Sequence, residues 1–558
     1  MANIMSLKSL KNKTSRNGFD LSFKKNFTAK AGELLPVMVK EVLPGDSFKI
    51  DLKTFTRTQP VNTAAFARIR EYYDFFFVPY DLLWNKANTV LTQMYDNPQH
   101  ATSWNPSQNQ LMNGEMPYTD CSSIANYLNK ASDSRNYFGY NRALLSAKLL
   151  EYLGYGSFYE YASSDGTSSA ISFSESPMMY NLNLNLFGLL AYQKIYADYF
   201  RDSQWERVAP YTFNVDYMKG SGDTFLGTSS FSLSDFYRPY NFFDLRYCNW
   251  QKDLFHGVLP RQQYGSTSSV SMNVVPPDPE GPSDEPSTTS LSILALRQAE
   301  FLQKWKEIAQ SANKDYKDQI EKHWNVSVGD GFSELCTYLG GVASSMDINE
   351  VVNNNITGSY AADIAGKGTG SSQGSISFNS NGKYGLLMCI YHCLPMLDYT
   401  TDFVDSAFTK INSTDYAIPE FDKVGMQGVP LSYLLNALES EVTIDLSLFK
   451  ILGYAPRYID YKTSFDCSVG AFKNTLRNWV ISYDNVSVAN QLNVSDLGND
   501  PSPTALPMNY TFFKVNPNSL NPLFAVEVDD KISTDQFLCS SYFDIKAVRN
   551  LDIDGLPY

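Results

Sequence analysis

The chain has 558 residues, a length that on domain statistics alone suggests roughly three or four domains and leaves room for a large core. Charged residues make up 19% of it, and 45 Lys plus Arg against 59 Asp plus Glu leave a net charge of −14, which excludes a protein that coats nucleic acid through overall positive charge. No apolar run approaches the roughly 20 residues of a membrane helix, and seven scattered cysteines form no disulfide framework and suit a reducing compartment.

Residues 1–30 hold Lys8, Lys11, Lys13, Arg16, Lys24, Lys25 and Lys30 against Asp20 alone, a local charge of +6 that leaves −20 on residues 31–558. The lysines are not followed by an apolar stretch of the roughly 7–15 residues a secretory signal needs, so the segment reads as a basic arm. Such an arm either reaches phosphate or is a solvated terminus. Pro44-Gly45-Asp46-Ser47 places Pro and Gly for a type II turn. After it, Phe48, Ile50 and Leu52 alternate with Lys49, Asp51 and Lys53, the period of a half-buried strand. Arg70 to Val78 is rich in aromatic residues and stops at Pro79, which fits a strand covered on both faces. Ala143–Leu153 reads as a short helix. Leu294, Phe301, Trp305, Ile308 and Ala309 keep helical spacing within Leu291–Asn313. Tyr384–Leu397 is a continuous apolar run, most simply a buried strand. Thr511–Val515 and Ser541–Val548 read as strands near the other end. Between these elements, residues 154–177, 265–290 and 340–385 lack apolar periodicity and read as long loops, the second carrying Pro276, Pro277, Pro279, Pro282 and Pro286. Loops of that length need a binding role or neighbouring subunits to order them.

Little in the chain resembles catalytic apparatus. His100, His256, His323 and His392 are its four histidines, each in an unremarkable sequence setting. Gly366-Lys367-Gly368-Thr369-Gly370 suggests a phosphate loop but lacks the first glycine of that spacing, since position 361 is Ala361. Cys389, His392 and Cys393 are a weak metal candidate. On a strand His392 faces away from Cys393, and two residues four apart stand about 13 Å from each other, too far for a disulfide. Buried core cysteines are the simpler reading. The reading is therefore of a protein that is not an enzyme, with no catalytic residues, cofactor or metal ligands to nominate. The 35 Phe, 37 Tyr and 7 Trp serve core, subunit interfaces or stacking on unpaired bases, and sequence does not sort them.

Further segments carry a family resemblance. Thr56-Arg57-Thr58-Gln59-Pro60-Val61-Asn62-Thr63-Ala64-Ala65-Phe66, running into Tyr73-Asp74-Phe75-Phe76-Phe77-Val78-Pro79-Tyr80-Asp81-Leu82-Leu83-Trp84, resembles the major capsid proteins of microviruses, and most closely their gokushovirus branch. The likeness continues in order through Leu296-Arg297-Gln298-Ala299-Glu300-Phe301, Tyr338-Leu339-Gly340-Gly341, Gly453-Tyr454-Ala455-Pro456-Arg457-Tyr458 and Phe543-Asp544-Ile545-Lys546-Ala547-Val548-Arg549.

The resemblance implies a mainly β fold, a single eight-stranded jelly-roll β-sandwich with long loop insertions and a few helices. In this reading residues 1–30 are an interior arm, residues 31–558 are the capsid domain, and residues 265–290 occupy the place of a surface protrusion at the threefold axes. It implies an icosahedral T=1 shell of about 60 copies around a single-stranded DNA genome, assembled in the host bacterial cytoplasm. The implied partners are the chain itself, the genome, a small basic internal DNA-binding protein, a pilot protein and a host cell-surface receptor. Lys8, Lys11, Lys13, Arg16, Lys24 and Lys25 are the candidates for contact with DNA phosphate. The competing reading is a secreted or cytosolic β-sandwich that acts on or binds carbohydrate, which requires a paired-carboxylate site.

Overall fold

The computed structural model describes residues 15–92, 103–105, 110–112, 116–131, 135–158, 182–217, 242–262, 293–329, 333–352, 364–423, 425–435, 451–492, 508, 510–525, 528 and 534–553. Its frame is one antiparallel sheet of nine strands: β1 (Asn17–Asp20), β2 (Phe23–Ala29), β3 (Leu35–Val42), β4 (Ser47–Thr58), β5 (Ile69–Pro79), β6 (Thr337–Val352), β7 (Ile364–Asn379), β8 (Gly385–Pro395) and β9 (Phe537–Arg549). Both β1 and β2 pair with β9, and the order then runs β9, β4, β7, β6, β5, β8, β3. The turn before β4 is as read: Gly45 has φ +85° and Asp46 N–H donates to the Leu43 carbonyl at 3.1 Å.

The sheet curls until its two halves face each other. Phe75 of β5 meets Phe543 of β9 edge-on at 6.4 Å between ring centroids, and Phe27 of β2 meets Tyr391 of β8 at 5.0 Å. Between the aromatic rings lie two polar bridges. Tyr73 and Ser541 share a hydrogen bond of 2.9 Å, and Thr56 donates to the Glu71 carboxylate at 2.7 Å. Alternation in the sequence produces this core: Phe48, Ile50, Leu52, Thr54, Thr56 and Thr58 of β4 are buried while Lys49, Lys53, Phe55 and Arg57 are exposed.

The far side of the β5–β8–β3 half is covered by helices. There α1 (Ala87–Thr92) follows the turn after β5, α2 (Cys121–Ala131) lies against α3 (Arg142–Leu153), which packs on β3 and reaches across the sheet edge to β2 through Tyr152, and α4 (Phe187–Ile195) packs on β5 and β8. Helix α3 begins at Asn141, whose side chain accepts from Ala143 and Leu144 N–H, and ends at Gly154 with φ +94°. Covered on both faces, β5 can hold aromatic residues at successive positions, as its sequence suggested. Phe76 points away from Phe75 and packs on Tyr199, Phe200 and Tyr338. The remaining helices are α5 (Ile293–Ser311), α6 (Tyr316–Trp324) and α7 (Asn485–Gln491).

Two expectations need correction. Residues 340–385 are not a loop, because they contain most of β6 and all of β7. The glycines that hid these strands are there for close packing. A Cβ on Gly368 would sit 2.5 Å from the Thr58 methyl, and one on Gly374 would sit 2.3 Å from a Val342 methyl. The same fact disposes of the phosphate-loop likeness, since Gly366–Gly370 lies within a paired strand. Thr511–Val515 is not a strand either. Tyr510–Phe513 forms a short 3-10 turn whose adjacent Phe512 and Phe513 are both buried, which alternation along a strand would not allow on a one-sided sheet. Of the other loops, residues 265–290 and all but the first few of 154–177 lie outside the described residues.

Candidate nucleic-acid interface

The six basic candidates do not form one cluster. Lys8, Lys11 and Lys13 lie outside the described residues. Arg16 is exposed beside the turn before β4, donating to the Gly45 carbonyl at 3.2 Å and to Ser47 Oγ at 2.9 Å. Lys24 and Lys25 are neighbours on β2 and so point to opposite faces. Lys25 shares the inner side with Phe23 and Phe27, donates to the Tyr152 carbonyl of α3 at 2.9 Å, and is pushed down to about 8 by burial. Lys24 is exposed on the outer side. Register places Lys24 opposite Tyr542 and Asn17 opposite Arg549, seven residues further along β9, so Lys24 and the Arg16 end of the segment are about 23 Å apart.

Just after Lys24 and Lys25 the segment is tied down by buried charge. Lys148 of α3 donates to Glu33 at 2.7 Å and Asp535 at 2.9 Å, and Lys30 lies 3.5 Å from Asp535, all at most 1% exposed. Two cations facing two carboxylates leave this buried cluster neutral, which is what makes it tolerable away from water. It anchors the end of β2 to the approach to β9.

Pairing builds a surface around Lys24 that no stretch of sequence contains. No helix among the described residues packs on the outer face of β2, β9, β4 and β7. Across it runs the row Lys24, Tyr542, Lys53, Gln373, followed by Asn26, Ser540, Phe55, Ser371 and then Thr28, Leu538, Arg57, Thr369. Tyr542 and Phe55 are each 43% exposed, and the Arg57 guanidinium lies over the Phe55 ring at 5.0 Å from its centroid. The face has polarity along its length. At one end Asp20 and Asp544 pair with Lys546 at 2.7 and 3.2 Å, and Asp51 lies 3.8 Å from Lys49. At the other end Lys24, Lys53 and Arg57 enter no ion pair among the described residues. Three free cations interleaved with two exposed aromatic rings and short polar side chains are the equipment for holding single-stranded nucleic acid: phosphate neutralised by Lys and Arg, bases stacked on rings. Sequence reading missed Lys53, Arg57, Phe55 and Tyr542. Their signal was the outward half of the β4 alternation, but the pairing partner lies nearly the whole chain away.

The metal and catalytic candidates stay in the core. Cys389 and Cys393 are buried and burial pushes both thiols up. His392 stacks on Tyr72 at 4.9 Å. His256 is buried against Tyr399 and Asp253, with its Nδ1 at 2.9 and 3.2 Å from their oxygens. Among the described residues no three His, Cys, Asp or Glu side chains converge in a way that could hold a metal ion, and no helix is long and apolar enough to cross a membrane.

A family profile described as capsid protein (F protein) matches residues 8–128 and 280–557, taking in all nine strands and α5. The chain belongs to this capsid protein family. Among relatives, the capsid protein VP1 of Chlamydia phage 1 is 23% identical, covering 97% of this chain and 95% of its own length. The capsid protein VP1 of Bdellovibrio phage phiMH2K is 22% identical over 98% and 95%. Both belong to the microvirus branch that the ordered motifs resembled, and the chain is a phage capsid protein located in the virion. A structural role of this kind takes the place of the carbohydrate-module alternative, and self-assembly into a shell comes with it.

Proposed function

We propose that this capsid protein closes an icosahedral T=1 shell of about 60 copies around a single-stranded DNA genome, with the outer face of β2, β9, β4 and β7 turned toward the DNA. The observation that carries the reading is the set Lys24, Lys53 and Arg57, unpaired and beside exposed Tyr542 and Phe55, on a chain whose net charge is −14. Lys8, Lys11, Lys13 and Arg16 extend that contact from the arm, while Lys25 serves the fold. The strand order supports a jelly roll: β2–β9–β4–β7 and β3–β8–β5–β6 are two four-stranded halves with the long excursions falling between β5 and β6 and between β8 and β9. A low density of charge suits a surface that must meet copies of itself, because fewer ions lose water on association. Residues 265–290 supply surface at the threefold axes and, with other loops, contact the host receptor. A small basic internal protein shares the neutralisation of the genome, and a pilot protein completes the particle.

The test uses purified capsid protein and a fluorescent oligodeoxythymidylate. Replacing Lys24, Lys53 and Arg57 together by Gln removes three phosphate contacts. The slope of log K against log salt is then expected to lose about 2 of its magnitude, at about 0.7 per phosphate for a single strand. An unchanged slope overturns the assignment of this face.

A further inference from the structure

Helix α5 turns its large apolar residues outward. Leu294 and Phe301 are each 66% exposed and Trp305 is 51% exposed, while Lys306, Ala309 and Gln310 are buried against the rest of the chain. Steps of 7, 4 and 3 residues carry Leu294 to Phe301, Trp305 and Ile308, which lines the four up as one seam along the helix. Beside the seam a second row runs Arg297, Glu300, Lys304, Glu307, its charges alternating plus, minus, plus, minus. None of the four enters an ion pair among the described residues. Trp305 stacks on His323 of α6 at 5.8 Å, while the stripe from Leu294 to Phe301 faces water and needs a covering surface.

We propose that the seam is covered by α5 of a second copy, the two helices running antiparallel about a twofold axis near Leu302. This rests on the capsid reading, which makes a second copy the partner at hand, and the charge row selects the geometry. In the antiparallel pair Arg297 faces the partner's Glu307 and Glu300 faces the partner's Lys304, so that each symmetric pair occurs twice. In a parallel pair Arg297 would face the partner's Arg297 and every other charge its own kind. The row is therefore self-complementary in one orientation and self-repelling in the other, as an isologous contact requires. The 19-residue helix is about 28 Å long and offers less than a free-standing dimer interface. Within a closed shell it acts with other contacts, and the combined avidity does not demand that this one be strong.

The experiment reads assembly by sedimentation velocity at low salt. Glu300→Lys puts Lys against the partner's Lys304, and Lys304→Glu puts Glu against the partner's Glu300. Each variant alone is expected to lose about tenfold in assembled fraction, and 1 M salt is expected to restore most of it. Mixing the two variants in equal amounts restores assembly without salt, because the mixed pair again sets Lys against Glu at both places. Rescue by mixing cannot come from within one helix. The proposal is overturned if either single variant assembles like the unsubstituted protein, or if the mixture fails while both variants melt at the unsubstituted protein's temperature. Phe301→Cys in a Cys467→Ser background gives an independent reading: a short bismaleimide is expected to join two copies through position 301, and absence of that product also overturns the pairing. If the unsubstituted protein forms no particles at all, the shell reading fails, whereas particles that are indifferent to these substitutions remove only the helix contact.

Discussion

Asp74 of β5 and His392 of β8 stand with 3.7 Å between Oδ2 and Nδ1, both largely buried, and burial moves them in opposite directions. Asp74 is pushed up to about 6 by desolvation, opposed by the hydrogen bond from Tyr338 at 3.0 Å, and His392 is pushed down to about 3 by desolvation. Between about pH 4 and 6 the unfolded chain has lost the Asp74 proton and the folded chain keeps it, so this group makes stability fall as pH rises, by about 3 kcal/mol over the whole window. His392 has the reverse effect. Below about pH 6.5 the unfolded imidazole takes up a proton that the folded one refuses, so stability falls as pH falls toward 3. The two slopes overlap and oppose each other, which flattens the response of the core. Asp74→Asn keeps an acceptor for Tyr338 and removes the first slope. This variant is expected to be more stable than the parent at pH 7, by about 2 kcal/mol, and to lose stability steadily as pH falls from 6.5. Urea denaturation at pH 7 and pH 4.5 checks it, and equal stability at pH 7 would show that Asp74 carries no such cost.

At the scale of strands, β7 explains how an element can be long, regular and nearly invisible in sequence. Its inward positions Gly366, Gly368, Gly370 and Gly374 are small because Thr63, Thr58, Met346 and Val342 occupy the space a side chain would need, and its outward positions Ser371, Gln373, Ser375 and Ser377 are exposed. Gly374→Ala is expected to cost about 1–3 kcal/mol, since the stiff Val342 side chain opposite cannot withdraw. Ser375→Ala next to it should stay within about 0.5 kcal/mol. Equal denaturation midpoints for the two would mean that packing does not dictate the glycine. Sequence periodicity revealed β4, β5, β8 and β9 because their buried faces are made of their own apolar side chains. It could not reveal β6 and β7, where the partner strand supplies the bulk. The candidate interface was half legible for a similar reason. Lys24 is basic wherever it stands, but its separation from Lys25 follows from the strand, and its company of Tyr542, Lys53 and Arg57 follows from pairing between segments hundreds of residues apart. Helix α5 was legible as a helix, although only the structure shows that its apolar side faces out.

For the whole particle, charge sets a limit that the fold cannot escape. A genome must at least encode this 558-residue chain, which takes about 1,700 nucleotides and as many phosphates. Lys24, Lys53 and Arg57 supply three positive charges per copy, roughly 180 in a shell of about 60 copies. About nine-tenths of the phosphates are thus left to other cations, and the shell itself, at −14 per copy, adds to the negative charge it encloses. The arm residues raise the supply without closing the gap. Shell closure and DNA retention should therefore separate in the test tube. Purified capsid protein is expected to form empty shells without help. It should protect single-stranded DNA from nuclease only when a multivalent cation such as spermidine, or a basic peptide, is added at a concentration that matches the missing charge. Protection that is equally complete in sodium chloride alone would mean that the wall neutralises the genome, and the face of β2, β9, β4 and β7 would then be too small to account for it.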